Sequence, residues 1–277
     1  MQEECQRAGI LHENFVNENR RIVDMNALKA TDLCKTYIVN KRQNNVLRNV
    51  NLEIEEGEMV GVMGPSGSGK TTLLYTVSGM DSATAGEIKF FGEEMTKLSA
   101  NQVSDLRLRR MGFVFQQMYM LKNLSIYDNI VLPAYQSASG KEQRREINER
   151  AKVLMAKLGI SEVADNDISE VSGGQLQRAC IARSMINNPK IIFADEPTGA
   201  LNKQNSREVM KELNKLNEEG TTIMMVTHDA KVASRCERVF YIEDGNIRDE
   251  MHLGKYTEDM VRERERELNN WLMRLGW

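Results

Sequence analysis

No stretch of this chain approaches the ~20 consecutive apolar residues that a membrane-spanning helix requires, and no segment near the N-terminus has the form of a signal-peptide core. Direct insertion into a bilayer is therefore not expected. Cysteine is scarce: Cys5, Cys34, Cys180 and Cys236 stand far apart without paired metal-ligand spacing, which argues for reduced thiols over disulfides or zinc. Histidine is scarcer still, with only His12, His228 and His252. Neither charge dominates. With 37 basic and 40 acidic side chains, a net charge of -3 gives no general attraction to nucleic acid or anionic lipid. No internal repeat is visible. What remains is an ordinary globular composition, 41% hydrophobic and 28% charged over 277 residues, enough for one large domain or two closely joined ones.

Residues 1–24 are polar and aperiodic and read as a flexible extension without chemistry. From Leu28 onward, β-rich runs are expected at Leu28 to Leu33, Val46 to Ile54, Met59 to Met63 and Glu87 to Phe91. Further strands at Lys190 to Ala194, Thr222 to Val226 and Val239 to Ile242 alternate with helical patterns. That alternation implies an α/β fold: a mainly parallel sheet covered on both faces, with its ligand site at the carboxyl ends of the strands. Residues 98–170 read as an inserted helical subdomain interrupted by one strand at Gly112 to Phe115. The stripe Val209, Met210, Leu213 and Leu216 has helical spacing and reads as core.

The strand Met59 to Met63 runs into Gly64-Pro-Ser66-Gly67-Ser68-Gly69-Lys70-Thr71, followed by Thr72 and a helical run. This is the GxxxxGK[ST] pattern in the context it requires. Glycines let backbone N–H groups wrap phosphates and the helix aims its positive end at them. Lys70 neutralises the terminal phosphates and Thr71 offers an oxygen to Mg²⁺. Two adjacent carboxylates, Asp195 and Glu196, end the apolar run from Ile191. Alone, they could be a plain acidic strand end; with a phosphate loop upstream, they suit metal binding and activation of an attacking water. His228 ends a third apolar strand, which tips it from an ordinary turn residue toward a γ-phosphate contact. Ser172-Gly173-Gly174-Gln175 opens a helix, and Ser172 with Gln175 makes a capping box. A glycine pair in a cap weakens the helix but permits close backbone approach to a phosphate, and a second anion site in one chain suggests two copies exchanging sites.

In these motifs, over nearly all of Leu28 to Met251, the chain resembles the ATP-binding cassette ATPases. The resemblance implies a P-loop NTPase core with an N-terminal antiparallel β subdomain, the ATPase domain spanning 25–252 and an amphipathic helix over 253–277. It implies ATP and Mg²⁺ as cofactors. Tyr37 then corresponds to the aromatic stacking on adenine, Gln116 to the glutamine sensing Mg²⁺ and the γ-phosphate, Asp195 to the Mg²⁺-associated carboxylate, Glu196 to the general base and His228 to the switch histidine. Ser172, Gly173, Gly174 and Gln175 correspond to the signature capping the partner's ATP. Asn202 stands where the family usually has Asp, keeping hydrogen bonds but losing a charge.

The run Asp195-Glu-Pro-Thr-Gly-Ala-Leu resembles the branch of lipoprotein-releasing, macrolide-export and antimicrobial-peptide-resistance ATPases. The terminal stripe Val261, Leu268, Trp271, Leu272 and Leu275 is similar to the closing helix of the bacitracin-type members. By resemblance, the partners are a second copy of the ATPase and an integral-membrane permease of FtsX-like architecture with an extracytoplasmic domain. The place is the cytoplasmic face of the membrane, and nucleic acid is not expected as a partner. A soluble cassette ATPase acting on nucleic acid or the ribosome, and an envelope complex that senses or transmits force, stand as alternatives. Met118 to Leu121 lies where the family receives its permease, or else packs the helical insert. Arg262 to Glu267 reads as a self-compensated solvent face.

Overall fold

A computed structural model describes residues 26–277, so the expected extension at 1–24 lies outside the described residues. Strands β1 (Asn26–Val39) and β2 (Arg42–Glu55) form a long antiparallel hairpin. With β4 (Ala85–Phe90) and β5 (Glu93–Glu94) they make a four-stranded sheet ordered β2-β1-β4-β5. The second sheet has six strands ordered β10-β9-β3-β8-β7-β6. Its members are β3 (Met59–Met63), β6 (Met111–Phe115), β7 (Ile191–Asp195), β8 (Thr222–Val226), β9 (Arg238–Glu243) and β10 (Asn246–His252). All neighbours in this sheet pair in parallel except β10 with β9.

The strands β3, β7 and β8 are near-continuous apolar runs because both of their faces are covered. Alternate side chains enter different cores: Val60, Val62, Phe193 and Met224 face one, Met59, Met63, Ala194 and Met225 the other. The first core is shared with the small sheet, with α1 (Lys70–Val77) through Leu73, Leu74 and Val77, and with α2 (Ala100–Arg110) through Leu106. The second is filled by α3 (Ile126–Ser137), α4 (Lys141–Lys157), α5 (Gly173–Met185), α6 (Lys203–Glu218) and α8 (Val261–Arg274). The expected stripe on α6 is buried throughout. Within 98–170, α2 packs on the small-sheet side and β6 is the edge strand of the large sheet, so the purely helical part begins after Phe115.

Two features differ from expectation. The strand β10 was not foreseen: its residues are mostly exposed, so it lacks an apolar pattern, although Asp244 and Gly245, both at positive φ, form the tight turn that makes the hairpin. The alternating charges at 262–267 are not all a solvent face. Arg264 is 1% exposed, and its guanidinium donates to the carbonyls of Ser234, Cys236, Leu253, Gly254 and Lys255. Helical geometry carries it inward on the same face as Leu268 and Trp271.

Candidate nucleotide site

Four neighbouring strands, β3, β8, β7 and β6, point their carboxyl ends the same way, and a sequence-predicted group follows each. After β3 the chain turns through Gly64, Gly67 and Gly69, all at positive φ, into α1. A Cβ on Gly64 would lie 2.0 Å from the Ile242 carbonyl oxygen, so no other residue fits. On Gly69 it would meet the Val46 carbonyl at 3.1 Å. At Gly67 nothing lies within 4 Å, which leaves only the backbone conformation to demand glycine there. The ammonium of Lys70 donates back to the carbonyls of Gly64 at 2.8 Å and Pro65 at 2.9 Å, spanning the loop it follows. Burial lowers its pKa, against the attraction of Glu196 and Asp195. The Ser68 hydroxyl is buried in the loop without a hydrogen-bond partner. Ser66 is exposed on the rim, and Thr72 lies behind it in the first turn of α1.

The hydroxyl of Thr71 donates to Asp195 Oδ1 at 3.1 Å, joining the phosphate loop to the end of β7. Burial raises the Asp195 carboxyl above the usual range, although Thr71, Tyr75 and Lys70 pull it back. Tyr75, one turn further along α1, is pushed up to about 12 by burial first and then by Asp195. No motif names Tyr75; its i,i+4 spacing from Thr71 is the signal that could have found it. Glu196 sits at φ 47, a left-handed backbone conformation uncommon outside glycine. Its Oε1 lies 2.9 Å from Nδ1 of His228, whose side chain is 66% exposed. The Glu196 turn is tied down by Gln177 on α5, whose buried amide donates to the Pro197 carbonyl at 2.7 Å.

Gln116, just past β6, is not brought to the Thr71 and Asp195 pair by any hydrogen bond among the described residues. A Cβ on Gly199 would lie 2.8 Å from its Nε2, so its amide rests against the backbone of the turn after Glu196. Tyr37, at 36% exposure, donates its hydroxyl to Asp81 Oδ2 at 2.6 Å, and the Lys35 ammonium stands 4.8 Å from its ring centroid. Ser172 and Gln175 form the expected capping box at the start of α5, at 2.9 and 3.3 Å. Ser172 and Gly173 face solvent, whereas Gly174 is buried. The close approach that Gly174 permits is to the Asn205 side chain within the same chain, 2.7 Å from a Cβ placed there. Asn202 caps α6 by accepting from the Asn205 amide at 2.9 Å.

The orphaned Ser68 hydroxyl, the glycine-lined cradle and the oxygen pair of Thr71 and Asp195 fit a nucleoside triphosphate with a hard divalent cation. These elements, on a parallel sheet at its switch edge, define a P-loop nucleoside triphosphatase. A family model described as ABC transporter matches residues 47–199. The chain is 42% identical over 231 residues to the bacitracin export ATP-binding protein BceA of Halalkalibacterium halodurans, covering 83% of this chain and 90% of that one. Against the macrolide export ATP-binding/permease protein MacB of Aggregatibacter actinomycetemcomitans it is 42% identical but spans only 34% of that protein. Among solved structures, the dimeric ABC transporter cassette MJ0796 superposes with a TM-score of 0.77 at 38% identity, covering 83% of this chain and all of that one. Its post-hydrolysis dimer, bound to ADP and Pi, gives 0.74 at 39% identity. This chain belongs to the ABC transporter family and is an ATP-hydrolysing cassette of it.

Proposed function

We propose that the cassette hydrolyses Mg-ATP at a site shared between two copies and drives an integral-membrane permease that exports an antimicrobial peptide or confers resistance to one. The observation that carries this reading is the convergence of Lys70, Asp195, Glu196 and His228 at the ends of adjacent parallel strands, with Glu196 bonded to His228 at 2.9 Å. The phosphates of ATP lie in the cradle of Gly64, Ser66, Gly67, Ser68 and Gly69, held by backbone N–H groups, Lys70, Thr71 and Thr72. Thr71 and Asp195 would hold Mg²⁺, with Gln116 as a further oxygen donor to it. When bound, the ion neutralises charge on the β- and γ-phosphates.

Glu196 accepts a proton from a water whose oxygen attacks the γ-phosphorus in line as the bond to the ADP oxygen breaks. His228 orients that carboxylate and meets the γ-phosphate. Adenine lies on the open face of Tyr37. Ser172, Gly173, Gly174 and Gln175 of one copy close over the nucleotide of the other, which suits their place at an exposed helix N-terminus. The exporter names of BceA and MacB support the permease partner. No described helix is long and apolar enough to cross a membrane. On this reading the cassette works from the cytoplasmic face against a permease of FtsX-like form.

A groove of 490 Å³ between α2, β6 and α3 is the docking place for that permease. Leu121, 51% exposed, and Tyr119, 58% exposed, stand on its lip in the segment 118–121, which Arg183 holds through the carbonyls of Met118 and Tyr119. The direct test is Glu196→Gln. Equilibrium ATP binding should persist while turnover falls by roughly 10²- to 10⁴-fold, the range of a lost general base. Undiminished hydrolysis would move the proton acceptor elsewhere.

A further inference from the structure

Helix α5 is fastened to residues 197–208 at three places. Near its start the Asn205 side chain lies against Gly174. One turn further along, the Arg178 guanidinium pairs with Glu208 on α6 at 2.8 Å. Beside it, the Gln177 amide donates to the Pro197 carbonyl at 2.7 Å. The helix that opens at Ser172 and the turn that carries Glu196 are thereby joined by side chains as well as by packing.

Pro197 follows Glu196 and is the second residue of a four-residue turn, closed by the Gly199 N–H donating to the Glu196 carbonyl at 3.0 Å. A left-handed residue such as Glu196, at φ 47, persists only where its surroundings impose the conformation. On one side the Glu196 N–H is tied to the Val226 carbonyl at 3.0 Å. On the other, Pro197 has no N–H, so its carbonyl is the one backbone group through which it can be held. Among the described residues, Gln177 is the donor that reaches it.

Packing does not account for an amide at this position. Gln177 is 1% exposed, and its Oε1 has no partner. A buried acceptor without a donor is a cost that an apolar side chain of the same size would not carry. What the amide supplies is the bond to Pro197.

We propose that Gln177 is a positioning residue for hydrolysis: by fixing the Pro197 carbonyl it holds Glu196, through the backbone, in the geometry that accepts a proton from water. The helix that offers its Ser172 terminus to a second copy thus also sets its own chain's proton acceptor. Gln177 can act in this way only if Glu196 is that acceptor.

Steady-state turnover, equilibrium ATP binding and calorimetric melting of the full chain test this in Gln177→Met, in Glu196→Gln and in the double variant. Gln177→Met should lower kcat by about 10- to 100-fold, the scale of a slightly misplaced catalytic group, with KM, ATP affinity and melting unchanged. In the Glu196→Gln background the same substitution should alter the residual turnover by less than about twofold, because the carboxylate it acts through is gone. An unaltered kcat in Gln177→Met, with Glu196→Gln slow, overturns this proposal alone. So does an equal further loss in the double variant, or a fall in ATP affinity that parallels kcat. Undiminished turnover in Glu196→Gln overturns the acceptor and this proposal with it. If Gln177→Met melts early, Gln177→Leu takes its place; early melting of both overturns the proposal, since the side chain then holds the fold.

Discussion

At the scale of single residues, the nucleotide site is built from conformations that other side chains would refuse. Gly64 cannot take a methyl group, because the Ile242 carbonyl would be 2.0 Å away. Gly64→Ala should therefore abolish ATP binding and lower the melting temperature. Gly67→Ala, with open space but φ at 79, should cost only the strain of a left-handed residue, about 1–2 kcal/mol. Calorimetric melting and nucleotide binding of the two variants check the order. Asp195 behaves in the opposite sense, as a residue whose presence weakens the empty fold. Its folded pKa lies above the unfolded one because burial disfavours the charge. Its stabilising contribution is complete below the unfolded pKa, near 4, and disappears as pH rises through the folded value. Asp195→Asn should accordingly raise the nucleotide-free melting temperature at neutral pH while removing Mg²⁺-dependent turnover. A lower melting temperature would show that the bond from Thr71 outweighs the buried charge.

Among the elements, α8 is held by an unusual fastening. Its apolar face places Leu268, Trp271 and Leu272 on the helical core, and the Trp271 indole donates to Asp249 on β10 at 2.9 Å. Arg264 adds a buried cation satisfied entirely by backbone carbonyls and flanked by the Tyr256 ring, 5.8 Å from the guanidinium carbon. Those carbonyls belong to two segments: residues 234 and 236, after the short helix α7 (Ala230–Ala233), and residues 253–255, after β10. Removing the side chain leaves them unpaired in the interior. Arg264→Ala should cost several kcal/mol, since each buried carbonyl left without a donor costs about 1–3 kcal/mol. Arg264→Lys should recover little, since one ammonium cannot reproduce a planar fork of donors. Denaturant unfolding followed by circular dichroism measures both.

On the scale of the whole molecule, the Gly64–Thr71 loop and the Ser172 helix terminus are separate surfaces of one chain, and on the proposed function pairing of two copies lets each complete the other. With Mg-ATP, Glu196→Gln should elute as a dimer in size-exclusion chromatography. Adding Ser172→Arg should return it to monomer, because a cation then stands at a helix N-terminus where an anion is wanted, while ATP binding to the single chain persists. A dimer that survives this change would place the pairing surface elsewhere. Docking to the permease is a second contact, tested by Leu121→Asp. A charge buried and unpaired at that surface costs several kcal/mol, so co-purification with the permease should be lost while basal ATPase activity of the isolated cassette is kept. Stimulation by nucleic acid that falls steeply with salt, with no membrane protein recovered, would favour the soluble alternative.

The glycine pattern before Lys70, the paired carboxylates ending an apolar run and the helix opened by Ser172 were legible because each is local: a few consecutive residues carry both the functional groups and the backbone turn. The parallel sheet was legible for the same reason, since runs such as Thr222 to Val226 are apolar on both faces. What tertiary structure alone decided is which distant groups meet. Tyr75 reaches Asp195 only because α1 lies over β7. Gly174 stands against the side chain of Asn205, some thirty residues along the chain, 2.7 Å from a Cβ placed there. Arg264, drawn from a run of alternating charges, is buried because carbonyls left over from two loops converge where α8 packs, and no local pattern encodes that convergence.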